Sequence, residues 1–253
     1  MMTRQNVYEL IVKLSGLNYG EPLPKMDEMF FRIWADHYYR IVCLFPKDKR
    51  PDAILEIGVG YGVLAVLLKR YYQCSVTVTE HPSRGYLQSP DFMHFMSGEG
   101  IRIVEHDLNH PMPFGDEMFD MVLYCDVMEH LPPDLVTNNF STIRRILKKD
   151  GSLILSTPNL ARLPNRLRFF FGRRINPPPV PEKVGETYDH IREYTLDEVQ
   201  AFLRNDFRIA KCDYGLIPFF NREWNILNSL LFHLSRGFGD EIYILAEVLK
   251  DSR

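Results

Sequence analysis

The feature that most constrains the fold is an apolar run that leads directly into three alternating glycines, at residues 54–62 (ILEIGVGYG). Glycine adopts left-handed backbone conformations at little cost and lets the backbone approach a ligand without a Cβ atom in the way. A strand that enters a helix through such a turn is typical of ligand-binding α/β sheets. An ordinary flexible turn is the alternative, and the glycines alone do not distinguish the two.

Short β-branched or apolar runs alternate with helical segments around this turn. The predicted strands are 53–57, 75–79, 101–105, 119–124, 151–156, 207–213 and 241–248. The predicted helices are 3–15, 25–45, 62–72, 134–149 and 195–203. Strands that alternate with helices predict a mostly parallel sheet that is covered on both faces.

Length and composition fit one large α/β domain with a small addition. Domains usually have about 100 to 200 residues, and this chain has 253. We predict an N-terminal helical cap at 1–50 and a main domain at 51–253. A hydrophobic content of 45% excludes wholesale disorder. The net charge of −3, from 30 Lys+Arg and 33 Asp+Glu, argues against general nucleic-acid binding.

The cysteines and the apolar runs predict a cytoplasmic location. Four cysteines, at positions 43, 74, 125 and 212, form no closely spaced pair for zinc and favour a reduced compartment. Glu9 and Lys13 interrupt the N-terminal apolar stretch that a signal peptide needs. No run approaches the roughly 18 apolar residues of a membrane span.

Acidic residues follow the second and third predicted strands. Glu80 ends the second strand, where a carboxylate can accept hydrogen bonds from both hydroxyls of a ribose. Asp107 follows the third strand, where a carboxylate can accept a hydrogen bond from an exocyclic amine. Each acid alone is more often a helix cap or a solvated loop residue. A nicotinamide dinucleotide is disfavoured, because its glycine pattern needs glycine where Val63 stands.

On these motifs, over roughly residues 50–212, the sequence resembles the class I S-adenosylmethionine-dependent methyltransferases, in particular the branch of ubiquinone-type and small-molecule enzymes. LEIGVGYG resembles the first motif of the family, and FDMVLYCDVMEHLPP resembles the motif around its fourth strand. The resemblance implies S-adenosylmethionine as cofactor. The cofactor-binding residues that it implies are Glu56, Gly58, Gly60, Gly62, Glu80, Asp107, Leu108 and Cys125.

The resemblance also implies a Rossmann-like, doubly wound fold. Its sheet would have seven mostly parallel strands, and the final strand, EIYILAEV, would insert antiparallel beside the fifth. N-terminal helices would precede the sheet, and a helical insertion at 216–238 would precede the last strand. This insertion and a loop at 159–190 would lie near the acceptor site.

The activity that follows is methyl transfer to a small-molecule or lipid- or sugar-linked acceptor, with a hydroxyl as the expected target. A cofactor-binding but non-catalytic, partner-activating subunit is the alternative. Histidine is the usual base near neutral pH, and the candidates are His130 and His190, although either can be an ordinary structural residue. Asp126, Glu129 and His130 resemble a divalent-metal cluster of some relatives, but Glu-His also occurs in relatives without metal, and no metal is predicted.

Two further segments leave their roles open. No acid lies between Asp150 and Glu182, whereas five arginines surround Phe169–Phe171 within 162–174. The insertion 216–238 carries an apolar helical stripe. The arginines suit a phosphate or carboxylate group of a substrate, or belong to an ordinary solvated loop. The stripe at 216–238 fits either peripheral contact with a membrane, beside the arginine loop, or ordinary packing, a lid or a dimer contact. Trp34, Tyr38 and Tyr39 either roof the acceptor pocket or fill the core.

Overall fold

The computed structural model describes residues 2–20, 28–173, 190–217 and 229–249. These residues form one seven-stranded sheet with helices on both faces. The strand order is β3-β2-β1-β4-β5-β7-β6. The strands are β1 (Ala53–Ile57), β2 (Ser75–Glu80), β3 (Ile101–Glu105), β4 (Phe119–Cys125), β5 (Leu147–Pro158), β6 (Phe207–Gly215) and β7 (Glu241–Val248).

Seven α-helices have both ends within the described residues. They are α1 (Arg4–Ser15), α2 (Glu28–Val42), α3 (Val63–Tyr72), α4 (Pro90–Gly98), α5 (Pro133–Ile146), α6 (Leu163–Phe170) and α7 (Leu196–Leu203). Short 3₁₀ turns occur at Gly85–Gln88, Met128–His130 and Arg236–Phe238. Local sequence explains the helix starts, since Thr3 and Thr195 each form a capping box that begins α1 and α7.

The predicted doubly wound sheet with an antiparallel final strand is confirmed. β1 pairs in parallel with β2 and β4, so the strand order reverses beside β1. β7 pairs antiparallel with both β5 and β6. In open α/β sheets, ligands bind at the carboxyl ends of the strands beside such a reversal. The topology therefore directs attention to the end of β1, where the glycine turn follows.

The boundary between α5 and β5 differs from the prediction of a helix over 134–149 and a strand from residue 151. The helix ends at Ile146, and β5 already begins at Leu147. Leu147 is fully buried and pairs with Phe119, and the register of the two strands then shifts before the next pair. Pairing with a neighbouring strand that is distant in sequence thus outweighs the helical pattern of this segment.

Two apolar clusters lie on the two faces of the sheet. α1 buries Val7, Leu10, Ile11 and Leu14, the stripe expected from the sequence, in the same cluster as α3. The other face holds α5 and α7. The predicted division of the chain at residue 50 stays a prediction, although the N-terminal helices share their core with the sheet. No helix among the described residues is both long and apolar enough to cross a membrane.

Candidate cofactor and acceptor site

The glycine turn joins β1 to α3 through left-handed backbone. Gly58, Gly60 and Gly62 have φ angles of 79°, 50° and 79°. A Cβ atom on Gly58 would lie 2.9 Å from Val127, and one on Gly62 would lie 2.9 Å from Met96, whereas a Cβ on Gly60 would meet nothing within 4 Å. Packing alone therefore requires the outer two glycines, and the space beside Gly60 is open to a ligand.

Glu56 lies in β1 just before this turn and is buried. Its carboxylate accepts a hydrogen bond from the backbone N–H of Ala65 in α3, which steadies the start of that helix. The Oε2 atom has no hydrogen-bond partner among the described residues. Burial, and then the charge of Glu80, raise the pKa of Glu56 well above its ordinary value. A buried, unpartnered carboxylate oxygen fits a cationic donor such as an amino group.

Glu80 ends β2 and faces the glycine turn. Its Oε2 atom accepts hydrogen bonds from the Gly60 N–H at 3.2 Å and from the Tyr86 hydroxyl at 2.5 Å. Its Oε1 atom accepts from the His81 N–H at 2.8 Å. The contact with Tyr86 was not predicted, because nothing in the local sequence pattern links that residue to the strand end. The carboxylate thus lies beside the open space at Gly60.

Asp107 follows β3, the strand next to β2. Its Oδ1 atom accepts from the backbone N–H of Asn109 at 2.9 Å and from the Asn109 side chain at 2.7 Å. The backbone hydrogen bond is the largest cause of a lowered Asp107 pKa, with His81 adding a smaller effect. Leu108, the next residue, is partly buried against the apolar cluster that also holds α5. Asp107 is therefore ionised and able to accept hydrogen bonds.

Cys125 ends β4 and is 8% exposed. Burial raises the pKa of its thiol well above the ordinary value, so the side chain behaves as a small apolar residue rather than as a nucleophile. It belongs to the same apolar cluster as Val59 and Val63 of the glycine turn. This places Cys125 on the side of the sheet where α3 begins.

A buried polar network that the sequence did not predict follows Cys125. Asp126 accepts hydrogen bonds from the Ser156 hydroxyl and from His37 Nε2, each at 2.7 Å. The other His37 nitrogen, Nδ1, lies 2.9 Å from the Tyr243 hydroxyl. Burial raises the Asp126 pKa, but His37 and Ser156 outweigh it and hold the pKa below its ordinary value. The sequence signal that could have indicated this network is His37, a polar residue on the apolar face of α2.

An aromatic cleft lies between the N-terminal helices and the glycine turn. Its cavity volume is about 40 Å³. Trp34 and Tyr38 line it, in agreement with a roof over a pocket, whereas Tyr39 instead packs under the guanidinium of Arg4. Burial and then the charge of Asp126 raise the pKa of Tyr38, which places its hydroxyl near the network. The lining residues are Ile11, Ser15, Tyr19, Phe30, Trp34, Tyr38, Tyr61 and Val63.

The two candidate histidines lie together although 60 positions separate them in the chain. The rings of His130 and His190 are nearly perpendicular, with centroids 5.0 Å apart. Glu129, His130 and His190 offer possible metal-ligand atoms within 4.8 Å of one another. Asp126, which the sequence grouped with Glu129 and His130, does not belong to this set.

Neighbouring acids hold this histidine pair in place. His190 Nδ1 lies 3.7 Å from Glu193 Oε1, and Glu193 also forms an ion pair with Arg162 at 2.7 Å. Glu129 is buried and accepts from the Thr157 hydroxyl at 3.1 Å. Burial and then the charge of Asp126 raise the Glu129 pKa well above its ordinary value. Glu193 is therefore the acid that contacts His190 directly.

Part of the chain is similar to a known family. Residues 55–155 match the sequence model of a family described as a methyltransferase domain. No similar sequence was found among proteins of curated function. The match covers β1 to β5, and so includes the glycine turn and both strand-end acids.

Solved structures share the fold. A SAM-dependent methyltransferase from Archaeoglobus fulgidus is 17% identical with a TM-score of 0.55, and 84% of this chain and 91% of that chain are covered. The PH0226 protein from Pyrococcus horikoshii OT3 is 16% identical with a TM-score of 0.60, and 90% of this chain and 96% of that chain are covered. A SAM-dependent methyltransferase from Methanosarcina mazei is 17% identical with a TM-score of 0.57, and 79% of this chain and 94% of that chain are covered.

The comparisons agree with one another. Residues 55–155 are similar to a methyltransferase domain, and the described chain shares the fold of solved S-adenosylmethionine-dependent methyltransferases. S-adenosylmethionine is the cofactor of that class.

Proposed function

We propose that this protein transfers a methyl group from S-adenosylmethionine to a hydroxyl of a small-molecule or lipid- or sugar-linked acceptor. The observation that carries the proposal is the unpartnered, buried Oε2 atom of Glu56, in the strand that leads directly into the glycine turn. A carboxylate at this place suits the amino group of the methionine part of the cofactor. The hydroxyl target rests on the resemblance to the ubiquinone-type branch.

The side chains present fit this cofactor. Glu56, Gly58, Gly60 and Gly62 would hold its methionine part, Glu80 its ribose, and Asp107 with Leu108 its adenine. Cys125 would contribute apolar contact. When bound, the cofactor supplies a methyl group on a sulfonium, a good leaving group. The protein then chiefly aligns the acceptor and excludes water.

The aromatic cleft and the histidine pair are the proposed acceptor machinery. The cleft offers apolar surface on which a ring or chain of the acceptor can pack. His190, whose side chain is 39% exposed, is the proposed base for the hydroxyl proton. His130 lies against its ring and would position it. A cytoplasmic location remains a prediction from the cysteine pattern.

Calorimetry and turnover measurements together test the proposal. S-adenosylmethionine should bind to the full chain, NAD should not, and Asp107→Ala should weaken the binding. Formation of S-adenosylhomocysteine across a library of hydroxyl-bearing acceptors should then reveal turnover. Absence of cofactor binding would refute the proposal. Tight cofactor binding without product from any acceptor would favour the non-catalytic, partner-activating subunit.

A further inference from the structure

The end of α6 carries three consecutive phenylalanines in contact with solvent. Phe169, Phe170 and Phe171 are 71%, 80% and 70% exposed. Full burial of one such side chain is worth about 1.5 to 3 kcal/mol, so a group of three rarely stays in water without a purpose. Single exposed apolar residues elsewhere, such as Met93 at 37% and Met118 at 46%, need no such explanation.

A second exposed apolar group adjoins α6. Leu230 and Leu234 are 63% and 80% exposed, and their segment continues into the 3₁₀ turn Arg236–Phe238. The Arg166 guanidinium of α6 lies 5.1 Å from the ring centre of Phe238. The Asn159 amide, just before α6, also donates to the carbonyls of this segment. These contacts connect α6 and the residue Asn159 before it with the segment that continues from Leu230 and Leu234.

The charge of this surface is positive. Arg166, Arg168, Arg173 and Arg236 are exposed, and within the described ranges none of them forms an ion pair with an acid. Two acids close to α6 or to the 3₁₀ turn, among the described residues, are already engaged. Glu193 is 3% exposed and paired with Arg162, and Asp240 is 4% exposed and accepts from a backbone N–H.

We propose that this surface, formed by the end of α6 (Phe169–Phe171) with Leu230 and Leu234 and the surrounding arginines, docks the protein on an anionic lipid membrane. Exposed aromatic side chains insert into the boundary between headgroups and acyl chains, while arginines interact with anionic headgroups. The inference is independent of the methyl-transfer proposal, because it concerns a surface and not the cofactor.

The docking surface is connected to the candidate base. Asn165 of α6 donates to Glu193 Oε2 at 3.0 Å, and Arg162 pairs with Glu193 Oε1. Glu193 in turn lies 3.7 Å from His190. Glu193 thus links the first turn of α6 to the histidine pair. Residues 174–189 and 218–228, which the sequence analysis included in these segments, lie outside the described residues.

Vesicle flotation with the full chain tests this inference. We expect binding to vesicles of phosphatidylcholine mixed with phosphatidylglycerol, at least tenfold weaker binding to phosphatidylcholine alone, and weakening by added salt. The triple variant Phe169→Ser, Phe170→Ser, Phe171→Ser should bind the anionic vesicles at least tenfold more weakly. Arg168→Gln with Arg173→Gln should do the same, by removing charge without touching the phenylalanines.

The control is Met93→Ser with Met118→Ser, which removes exposed apolar surface elsewhere and should leave vesicle binding unchanged. Circular dichroism and cofactor calorimetry should show that all variants are folded. Failure of the wild-type chain to float with anionic vesicles would overturn the inference. So would phenylalanine variants that bind as well as wild type. If the wild type does not float and the triple serine variant changes only the sedimentation of a dimer, the surface is instead a contact between copies.

Discussion

The Nε2 atom of His37 lies 2.7 Å from the Oδ2 atom of Asp126. This contact ties α2, in the N-terminal part of the chain, to the end of β4 in the centre of the sheet. Asp126 has a φ of 55°, which is uncommon for a residue other than glycine. Backbone strain of this kind is kept only where the surroundings hold it, and it concentrates at functional sites.

The variant His37→Phe should destabilise the protein. It removes a donor from the Asp126 carboxylate, whose side chain is 28% exposed, and a partner from the buried Tyr243 hydroxyl. We expect the free energy of unfolding to fall by about 2 to 3 kcal/mol. Urea denaturation at pH 7 measures this. His94→Phe, at an exposed position, should change it little, and equal effects of the two variants would refute a special role for His37.

The variant Glu56→Gln separates cofactor binding from folding. Because the Glu56 pKa is raised by burial, a neutral amide should leave folding stability at pH 7 unchanged or slightly higher. Loss of a charge-assisted hydrogen bond should weaken cofactor binding about tenfold to a hundredfold. Calorimetry with S-adenosylmethionine measures the affinity, with Glu105→Gln at an exposed position as the control. Wild-type affinity in Glu56→Gln would remove Glu56 from the cofactor site.

The variant Gly60→Val tests the open space in the glycine turn. The φ of 50° makes a branched side chain strained by roughly 1 to 2 kcal/mol, and the side chain would fill the proposed cofactor space. We expect at least a tenfold loss of cofactor affinity. The matched control is Gly98→Val. An added Cβ at Gly98 would also meet nothing within 4 Å, but the backbone there is not left-handed. An equal loss in both variants would speak against a ligand beside Gly60.

The variant His190→Ala tests the proposed base. Cofactor affinity should be unchanged, and S-adenosylhomocysteine formation with a hydroxyl acceptor should slow about a hundredfold. His94→Ala is the exposed control. A pH profile of turnover should lose its ascending limb in His190→Ala, which a merely structural role would not produce. Full activity of the variant would exclude His190 as the base.

The variant Glu241→Gln should change how stability depends on pH. Burial, followed by the charges of Asp126 and Glu129, raises the Glu241 pKa well above its ordinary value. Wild-type stability should therefore fall as pH rises from about 4.3 toward the raised pKa, by at most about 1.4 kcal/mol per pH unit. The glutamine variant has no carboxyl group to ionise at this position, so it lacks this loss of stability. Denaturation from pH 5 to 9 should therefore show a difference in the free energy of unfolding, variant minus wild type, that grows with pH. A variant less stable than wild type at pH 8 would contradict this.

The local features of the candidate site could be predicted from sequence, because they depend on neighbours along the chain. A β-branched run, alternating glycines and a helical stripe are enough to predict the turn at Gly58–Gly62. The positions of Glu80 and Asp107 follow from the ends of their strands. The antiparallel place of β7 came from the family resemblance and not from the periodicity of the segment.

The contacts of these residues were decided only by tertiary packing. His37 meets a carboxylate 89 positions away and a hydroxyl 206 positions away. His130 likewise contacts His190, 60 positions away in the chain. Hydrophobic periodicity indicates which face of a helix is buried, but not which polar group on the sheet that face will meet. The sequence by itself therefore determined the α/β architecture and the glycine turn, whereas the buried His37–Asp126 network and the exposed tip of α6 arose from how helices pack on the two faces of the sheet.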